Sequence, residues 1–305
     1  MKTLAIACLA ALLSSVALRA QIFTLTKEQL TALTASSPET FERFPDGRPK
    51  VPDALIERAR AMSAEEAWTI LNSAQSQFKN QWADGFQVLH PGKTMAGRAF
   101  TVQFMPARAD LAKVANDNAR AAGITRAFNN QAAIDMLQPG DVLVVDLGGK
   151  IAGGTIVGDN LFYYVMKATK SAGLVVDGAI RDLQGIAQLD MPAYFRGAHP
   201  SAITEMTITG INIPIRIGSA TVMPGDLVVG DREGVYFIPP AQVTQILDNA
   251  DILHIHDEWS RMKFDEGKYK SSDIYSSPTD PALRAEYQAY LQKRLAELKQ
   301  QRGGK

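Results

Sequence analysis

The sequence predicts an α/β fold with a mixed sheet, and three observations support this prediction. Two nearly continuous apolar segments, 142–145 and 174–176, are flanked by glycine-containing turns, which is typical of strands buried on both faces of a sheet. A segment with helical character connects them, which gives the strand–helix alternation of α/β proteins. Further strand candidates precede and follow this middle part, so we expect a sheet with both parallel and antiparallel pairs.

The individual elements follow from local signals along the chain. A short helix is expected after Thr26, and apolar residues recur at helical spacing from Pro52 to Asn72, with a polar loop at 36–52 between them. Strands are expected at 99–104, 142–146, 174–176, 191–195, 213–217 and 235–238. Helices are expected at 111–122, 161–171, 241–265 and 281–301, and Gly173 is the predicted C-cap of the second of these.

The tripeptide Pro-Gly-Asp occurs at 139–141 and again at 224–226, each time before an apolar strand candidate. This repeat is compatible with internal pseudo-symmetry. It is equally compatible with a simple turn that precedes a strand, because proline and glycine both favour turns. The sequence leaves these alternatives open.

Composition restricts the class of function. The chain has 305 residues, 46% of them hydrophobic, and its 32 basic and 32 acidic side chains balance. That is enough for one large domain with appendages or for two small domains. Because no basic stripe is present, nucleic acid is not an expected partner.

The first twenty residues resemble a secretory signal peptide. Lys2 precedes an apolar run from Leu4 to Ala17, and either Ala20 or Ala17 could precede the cleavage site. We therefore predict a periplasmic or secreted protein without stable membrane insertion after cleavage; a retained N-terminal anchor is the alternative. Cys8, the only cysteine, lies in this segment, so the mature chain would have no disulfide and no cysteine nucleophile.

The segment 148–182 carries the features that point to chemistry. Gly153, Gly154 and Gly158 form a glycine-rich loop that leads into a helix, with Asp159 or Asn160 as its cap. The N–H groups of 160–162 would point at this loop together with the positive end of the helix dipole. Such a helix N-terminus can bind a carboxylate or a phosphate.

The strand that ends before Asp177 places Arg181 and Asp182 at its carboxyl end. This is the end of the strands at which ligands bind in α/β sheets. A carboxylate can hold a hard divalent cation, and a guanidinium can hold a substrate carboxylate or a developing oxyanion. A surface ion pair in a turn is the alternative interpretation of this pair.

These motifs resemble the family of RraA-like proteins and 4-hydroxy-4-methyl-2-oxoglutarate aldolases. The resemblance rests on Gly158-Asp-Asn-Leu161, on Gly173-Leu-Val-Val-Asp-Gly-Ala-Ile-Arg-Asp182 and on the segment 224–239, and it covers roughly residues 63–267. It implies a β/β/α layered core of the swivelling-domain type, with helical extensions at both ends. It also implies a homotrimer or hexamer with active sites between subunits.

The resemblance further implies a divalent-metal-dependent lyase that acts on a small 2-keto acid, by retro-aldol release of pyruvate or by decarboxylation of an oxaloacetate-type substrate. Asp182 would be the direct ligand of Mg²⁺ or Mn²⁺, and Arg181 would hold the keto acid. Asp159 and, from a neighbouring subunit, Glu258 would orient the water that moves the proton; Asp257 is the second choice. The loop residues that would bind the pyruvyl carboxylate are Gly158, Asn160, Leu161 and Phe162.

Other interpretations are weaker. The N-terminal acidic residue of the aldolases has no evident counterpart, although Glu65, Glu66 and Asp84 lie nearby. A non-catalytic RraA-like regulator is the main alternative. No glycine-rich nucleoside motif supports a methyltransferase. His90 and His199 each precede a proline and are expected in turns, so a histidine-ligated zinc site is not expected.

We therefore divide the chain into four parts. Residues 1–20 are the signal peptide, 21–75 an N-terminal helical extension, 76–267 the catalytic core, and 268–305 a linker and a C-terminal helix. The apolar stripe of that last helix can pack on the chain's own body or on another subunit. It consists of Leu283, Tyr287, Tyr290, Leu291, Leu295 and Leu298.

Overall fold

The structure, a computed structural model, describes residues 24–35, 41–121, 123–124, 129–275 and 277–303. The predicted signal peptide lies outside these residues. The strands are β1 (Trp82–Ala83), β2 (Gln87–Leu89), β3 (Met95–Pro106), β4 (Asp141–Thr155), β5 (Gly173–Ile180), β6 (Ala193–Ala198), β7 (Met206–Ile211), β8 (Ile215–Ile217), β9 (Ala220–Val222), β10 (Leu227–Gly230) and β11 (Val235–Ile238). The helices are α1 (Lys27–Leu33), α2 (Asp53–Ala59), α3 (Ala64–Leu71), α4 (Ala109–Ala121), α5 (Asn130–Ile134), α6 (Asp159–Thr169), α7 (Leu183–Ile186), α8 (Val243–Asp265), α9 (Ser271–Ile274) and α10 (Pro281–Gly303).

The central sheet is mixed, as predicted. Its strands follow the order β1-β11-β10-β3-β4-β5-β6-β2, and β7 pairs with the distal half of β3. The four central strands β3 to β6 run parallel, whereas the outer pairs are antiparallel. Parallel strands place their carboxyl ends at one edge, so β4, β5 and β6 deliver the residues that come after them to the same region.

The sheet is covered by helices on one face and by the β8–β9 hairpin on the other. Because side chains alternate along a strand, Leu174 and Val176 pack with Phe162 of α6, whereas Val175 packs with Ile217 of the hairpin. Helices α2, α3 and α8 pack on the outer strands β10 and β11. The layering is therefore β/β/α, as the resemblance implied.

Several boundaries differ from the predicted ones. The helical segment 52–72 is two short helices rather than one, because Ser63 caps a new helix with a capping box. Helix α6 ends at Thr169, and Lys170 is its C-cap in the left-handed conformation, so the prediction that Gly173 caps it is wrong. Gly173 instead begins β5, where a Cβ atom would collide with the Met95 side chain.

Both Pro-Gly-Asp motifs form the same turn. The carboxylate of Asp141 accepts the N–H of Gln138 at 2.9 Å, and that of Asp226 accepts the N–H of Met223 at 2.8 Å. The two turns precede β4 and β10, which lie on opposite sides of β3. Each motif therefore forms the turn before a strand that neighbours β3. Its buried aspartate stabilises that turn by accepting a backbone N–H.

Asp226 differs from Asp141 because it lacks a basic partner among the described residues; Asp141 pairs with Arg48, Nη1–Oδ1 2.9 Å. Burial raises the pKa of Asp226 to about 7. An unfolded aspartate titrates near pH 3.9, so the favourable contribution of the protonated group is complete below about pH 4 and is lost as the pH rises through 7.

We expect Asp226→Asn to be neutral near pH 4 and to stabilise the protein by about 4 kcal/mol at pH 8, because the amide keeps the acceptor without the charge. Urea unfolding from pH 4 to pH 8 measures this difference. Asp226→Ala loses the acceptor for Met223 N–H and should be less stable than the Asn variant throughout. A free-energy difference between wild type and Asp226→Asn that does not change with pH would contradict the assignment.

The helical additions at the two ends pack onto the same body. The capping box at Thr26 starts α1, as predicted. Most of the stripe of α10 packs against Ile255 and Trp259 of α8, which confirms packing on the chain's own body. Among the described residues, no helix is both long and apolar enough to cross a membrane.

Candidate functional site

The glycine loop and the Arg-Asp pair meet at the carboxyl ends of β4 and β5. The N–H of Ile156 donates to Ala179 (3.0 Å) and that of Arg181 to Val157 (3.1 Å), so the two segments run side by side. Gly158 comes directly after Val157 and is packed against the Arg-Asp pair. A Cβ atom at this position would overlap Asp182 Oδ2 and would lie 2.8 Å from Arg181 Nε. The predicted neighbours are therefore in direct contact.

Asp182 is presented by an unusual backbone. It lies in the left-handed region (φ 59°, ψ 39°) and is the N-cap of α7, and its carbonyl accepts the N–H groups of Gly185 and Ile186 at 2.9 and 3.0 Å. This conformation costs a non-glycine residue energy and occurs often at functional sites. The Asp182 side chain is 46% exposed.

Arg181 and Asp182 offer opposite charges at one place without neutralising each other fully. Arg181 Nε lies 3.5 Å from Asp182 Oδ2, beyond a normal hydrogen bond, and the arginine side chain is 39% exposed. Both groups can therefore still bind a ligand. Asp159 borders the same place from the other side, because its carboxylate packs beside Gly185 in α7.

The start of α6 corrects part of the sequence interpretation. Gly158, and neither Asp159 nor Asn160, is its N-cap. The N–H of Phe162 donates to Gly158 O (2.8 Å) and the Phe162 side chain is buried, so the prediction that Phe162 binds substrate is wrong. The N–H of Asn160 donates to Asp159 Oδ1 at 2.7 Å. Among the described residues, only Leu161 of these three keeps an N–H without an acceptor.

Glu258 lies elsewhere in the chain. It is on α8, and its carboxylate contacts α10 through Tyr290 and through Arg294 (Nη2–Oε2 3.1 Å). The hydrogen bond from Tyr290, together with Arg294, lowers the pKa of Glu258, so this carboxylate stays ionised. These contacts do not join Glu258 to Arg181 within one chain. Its predicted contribution to a neighbouring subunit's site remains a prediction.

A cavity of about 560 Å³ lies at the N-terminus of α6. Asn160, Leu161 and Tyr164 line it from α6, and Asp135 and Met136 line it from the end of α5. Arg181 and Asp182 are not among its lining residues. The first turn of α6, which Gly158 joins to the charged pair, thus also lines a cavity of the size that small ligands use.

Sequence reasoning missed one polar residue next to the pair. His199 was expected in a turn before Pro200, and the chain does bend there; the residue directly follows β6, whose last residue pairs with Ile180. The signal that would have found it is its place after a third parallel strand, since β4, β5 and β6 end at the same edge.

The donor set fits a cation that prefers oxygen ligands, such as Mg²⁺ or Mn²⁺, better than one that prefers nitrogen or sulfur ligands, such as Zn²⁺. No group of three or more His, Cys, Asp or Glu side chains within the described ranges is placed to hold a metal ion. Mg²⁺ does not need such a cage, because it is usually held by one or two carboxylates together with water and substrate oxygens. Exposed Asp182, with Asp159 nearby, matches that requirement.

Gly158→Ala tests whether this packing matters. The backbone (φ −108°, ψ −167°) allows alanine, so the methyl group acts only on Asp182 and Arg181. We expect kcat/KM for the expected pyruvate release to decrease by about 10²-fold while the melting curve stays native. Small displacements of reacting groups are enough to reduce the rate this much. Gly92→Ala is the control, since nothing lies within 4 Å of its Cβ. Equal activity of the two variants would contradict the assigned packing.

The fold and the site define an RraA-like protein. Residues 54–237, more than half of the chain, match the RraA-like family, described as Aldolase/RraA, and the chain belongs to this family. The match includes Gly158, Arg181 and Asp182; it begins within the predicted N-terminal extension and ends before Glu258.

Two relatives carry the name "Putative 4-hydroxy-4-methyl-2-oxoglutarate aldolase". The protein from Halalkalibacterium halodurans is 40% identical over 39% of this chain and 56% of its own length. The protein from Ectopseudomonas mendocina is 36% identical over 35% of this chain and 65% of its own length. The chain thus matches somewhat over half of the length of these relatives.

The crystal structure of RraAS2 from Streptomyces coelicolor, described as an unusual member of the RNase ES inhibitor RraA protein family, is 30% identical, with a TM-score of 0.59 over 70% of this chain and 98% of that chain. A protein from Pseudomonas syringae pv. tomato has the same TM-score at 21% identity, over 77% of this chain and 96% of its own, and supports the fold alone. Both confirm the predicted fold class.

Proposed function

We propose that the chain is a lyase that cleaves a carbon–carbon bond next to a 2-keto acid, with Mg²⁺ or Mn²⁺ as its cofactor. The observation that carries this proposal is the contact of Gly158 with both Arg181 and Asp182, beside the N-terminus of α6. It unites a cation ligand, a fixed positive charge and a helix N-terminus within one small region. The names of the two aldolase relatives support an aldolase-type enzyme.

The chemistry requires that negative charge be stabilised. In a retro-aldol reaction, the bond between C3 and C4 of a 4-hydroxy-2-keto acid breaks, and C4 becomes a carbonyl carbon after its hydroxyl loses a proton. The electron pair leaves on the pyruvate portion as an enolate, which is then protonated at C3. Decarboxylation of an oxaloacetate-type substrate releases CO₂ and passes through the same enolate, so one site serves both reactions.

Arg181 stabilises that charge directly. Its guanidinium is partly exposed, and at 3.5 Å from Asp182 Oδ2 it is too far for a normal hydrogen bond to that carboxylate. It can therefore hold the keto acid and the enolate oxygen in a fixed orientation. Fixed charges of this kind lower the barrier because they need no reorganisation during the reaction.

Asp182 would hold the divalent cation, and Asp159, which packs beside Gly185 of α7, would contact water bound to it. When bound, the cation supplies Lewis-acid stabilisation of the keto oxygen and carboxylate. The exposed Asp182 side chain leaves room for the substrate beside it. This role would explain why Asp182 has a left-handed backbone and an exposed side chain.

The N-terminus of α6 contributes to binding and to proton transfer. The free N–H of Leu161 and the helix dipole favour an anionic carboxylate. Asp159, at the first position of the helix, orients the water that carries the proton. The cavity beyond Asn160 and Leu161 can accommodate the rest of a substrate larger than pyruvate.

The same proposal includes the assembly and the location of the protein. A homotrimer or hexamer would bring Glu258 of one subunit to the site of the next, where its ionised carboxylate completes the water network. Export through residues 1–20 would place the enzyme in the periplasm or outside the cell.

A screen for pyruvate release tests the function. The mature protein is incubated with 4-hydroxy-2-keto acids and oxaloacetate, with Mg²⁺, with Mn²⁺ or with a chelator, and pyruvate is measured through lactate dehydrogenase. We expect release that needs the cation and returns when it is added back. No release from any of these substrates would argue against the proposal.

A non-catalytic regulator is the second candidate, because RraAS2 matches over nearly its whole length and belongs to a family described as RNase ES inhibitors. Exposed Arg181 and Asp182 in contact with Gly158 favour the enzyme, since binding alone does not require this constellation. Retention of an RNase E-type enzyme on the immobilised protein, combined with no pyruvate release, would favour the regulator.

A further inference from the structure

A second cavity, of about 210 Å³, lies between the end of α1, strand β9 and the segment that leads into α8. None of the residues of the proposed lyase site lines it. Helix α1 lies outside the family match at 54–237, so one wall of this cavity is an addition of this chain. Sites for drug-sized ligands have roughly 300 to 1,000 Å³, so this cavity suits a smaller molecule.

Asp226 supplies a charge to this cavity. Its side chain is among the lining residues although it is only 1% exposed. Oδ2 accepts the N–H of Met223 at 2.8 Å, and no basic side chain of the described residues pairs with the carboxylate. Arg43 bonds the hydroxyl of Thr34, another lining residue, at 2.7 Å, but Arg43 does not line the cavity. At pH 8 the carboxylate is therefore a buried anion without a counter-charge.

The charge of Asp226 is not needed for the turn that precedes β10. An asparagine would accept the N–H of Met223 equally well, and we expect it to make the protein more stable at pH 8. A residue that lowers stability without a structural gain is a candidate for a binding role, because function is a common reason for such a cost. Burial raises the pKa of Asp226 to about 7, as is frequent at such sites.

The second polar group in the lining is also an acceptor. Gln81 Nε2 donates to Thr221 O at 3.1 Å and to Phe237 O at 3.0 Å. Two carbonyl partners require the NH₂ group on that side, so Oε1 is the amide atom left for a ligand, and it can only accept. Asp226 and Gln81 therefore both call for a ligand that donates hydrogen bonds.

The remaining wall is mostly apolar. It is formed by Leu33, Phe78, Met223, Pro239 and Pro240. Such a wall binds hydrocarbon by removing apolar surface from water. A matching ligand thus combines a short hydrocarbon part with a positively charged donor group.

We propose that this cavity binds a small primary alkylammonium ion. Its N–H groups bond to the Asp226 carboxylate and to Gln81 Oε1, and its alkyl chain packs on Leu33, Phe78 and Pro239. The ammonium supplies the counter-charge that the buried carboxylate lacks. This site is independent of the proposed lyase function.

Calorimetric titration of the full-length protein with n-butylammonium tests the proposal. The probe stays charged at pH 6 and pH 8, whereas Asp226, with a pKa of about 7, is about 90% ionised at pH 8 and about 10% at pH 6. We therefore expect binding to be about tenfold weaker at pH 6 and to release nearly one proton there. n-Butanol, the neutral analogue, should bind more weakly at pH 8.

Asp226→Asn keeps the acceptor for Met223 N–H and should weaken n-butylammonium binding at pH 8 by at least about tenfold, because a bond to a charged group is lost. Asp135→Asn is the matched control, since Asp135 is a carboxylate that lines the other, 560 Å³ cavity, and its affinity should equal that of wild type.

Three results would overturn the assignment: no binding of n-butylammonium by wild type at pH 8, equal affinity in Asp226→Asn, or equally tight binding of n-butanol. Should the Asn variant not fold, binding to wild type at pH 6 without proton release would overturn it as well. Pyruvate release plays no part in these outcomes, so they do not bear on the lyase site.

Discussion

Replacing Asp182 by asparagine is expected to remove cation-dependent pyruvate release while the protein stays folded. Asparagine keeps the size of the side chain and tolerates the left-handed backbone at φ 59°, so the turn into α7 is preserved. The charge that would hold the cation is lost. We expect kcat/KM to decrease by about 10³-fold or more, since a metal ion contributes several kcal/mol of charge stabilisation.

The choice of asparagine matters for the interpretation of this experiment. Asp182→Ala would remove the charge but would also place alanine in the left-handed region, which strains the turn. Asp190→Asn is a suitable control, because Asp190 is an exposed carboxylate whose ion pair is with Lys93. Retention of full cation-dependent activity in Asp182→Asn would show that the ligand is misassigned.

Replacing Arg181 by alanine is expected to decrease kcat/KM by about 10²- to 10³-fold and to leave cation binding intact. The fixed positive charge acts on the substrate and the enolate rather than on the cation, so its loss raises the barrier directly. Because a guanidinium has hydrogen-bond donors and no acceptor, its removal does not take away a cation ligand. Steady-state kinetics with saturating Mg²⁺ measure the effect.

Arg181→Lys separates the charge from the planar donor group. We expect it to recover part of the activity, because lysine is a point charge that cannot bind a carboxylate through two parallel N–H groups. Arg108→Ala is the control for loss of an exposed arginine, since the ion pair of Arg108 is with Asp110, two positions along the chain. Unchanged kinetics in Arg181→Ala would exclude a direct role for the guanidinium.

The central part of the fold could be predicted because its signals are local. The apolar runs at 142–145 and 174–176 are strands because they are buried on both faces, and their parallel pairing brings the residues after them together. The proximity of Gly158, Arg181 and Asp182 follows from that arrangement alone. This is why the core of the site was accessible from the sequence.

The errors arose where long-range contacts decide the local structure. Gly173 suggested a helix cap, but it is a glycine because Met95 of a distant strand occupies the position of its side chain. Asp141 can be buried because Arg48, 93 residues away, neutralises its charge. No local pattern in the sequence predicts that ion pair. Phe162 was misassigned because the first hydrogen bond of α6 starts at Gly158.

His199 was missed for a different reason. A histidine before a proline favours a turn, and the chain does turn after β6, so the local interpretation was sound. Its backbone contact with Ile180, the residue before Arg181, depends on the order β4-β5-β6 in the sheet, which one sequence does not specify.

A titration of Mn²⁺ followed by electron paramagnetic resonance tests the central claim most directly, because it reports cation binding without requiring the natural substrate. We predict that wild type and Arg181→Ala take up Mn²⁺ with similar affinity, that oxalate tightens binding to wild type, and that Asp182→Asn takes up little. Equal Mn²⁺ binding by wild type and Asp182→Asn would contradict the account.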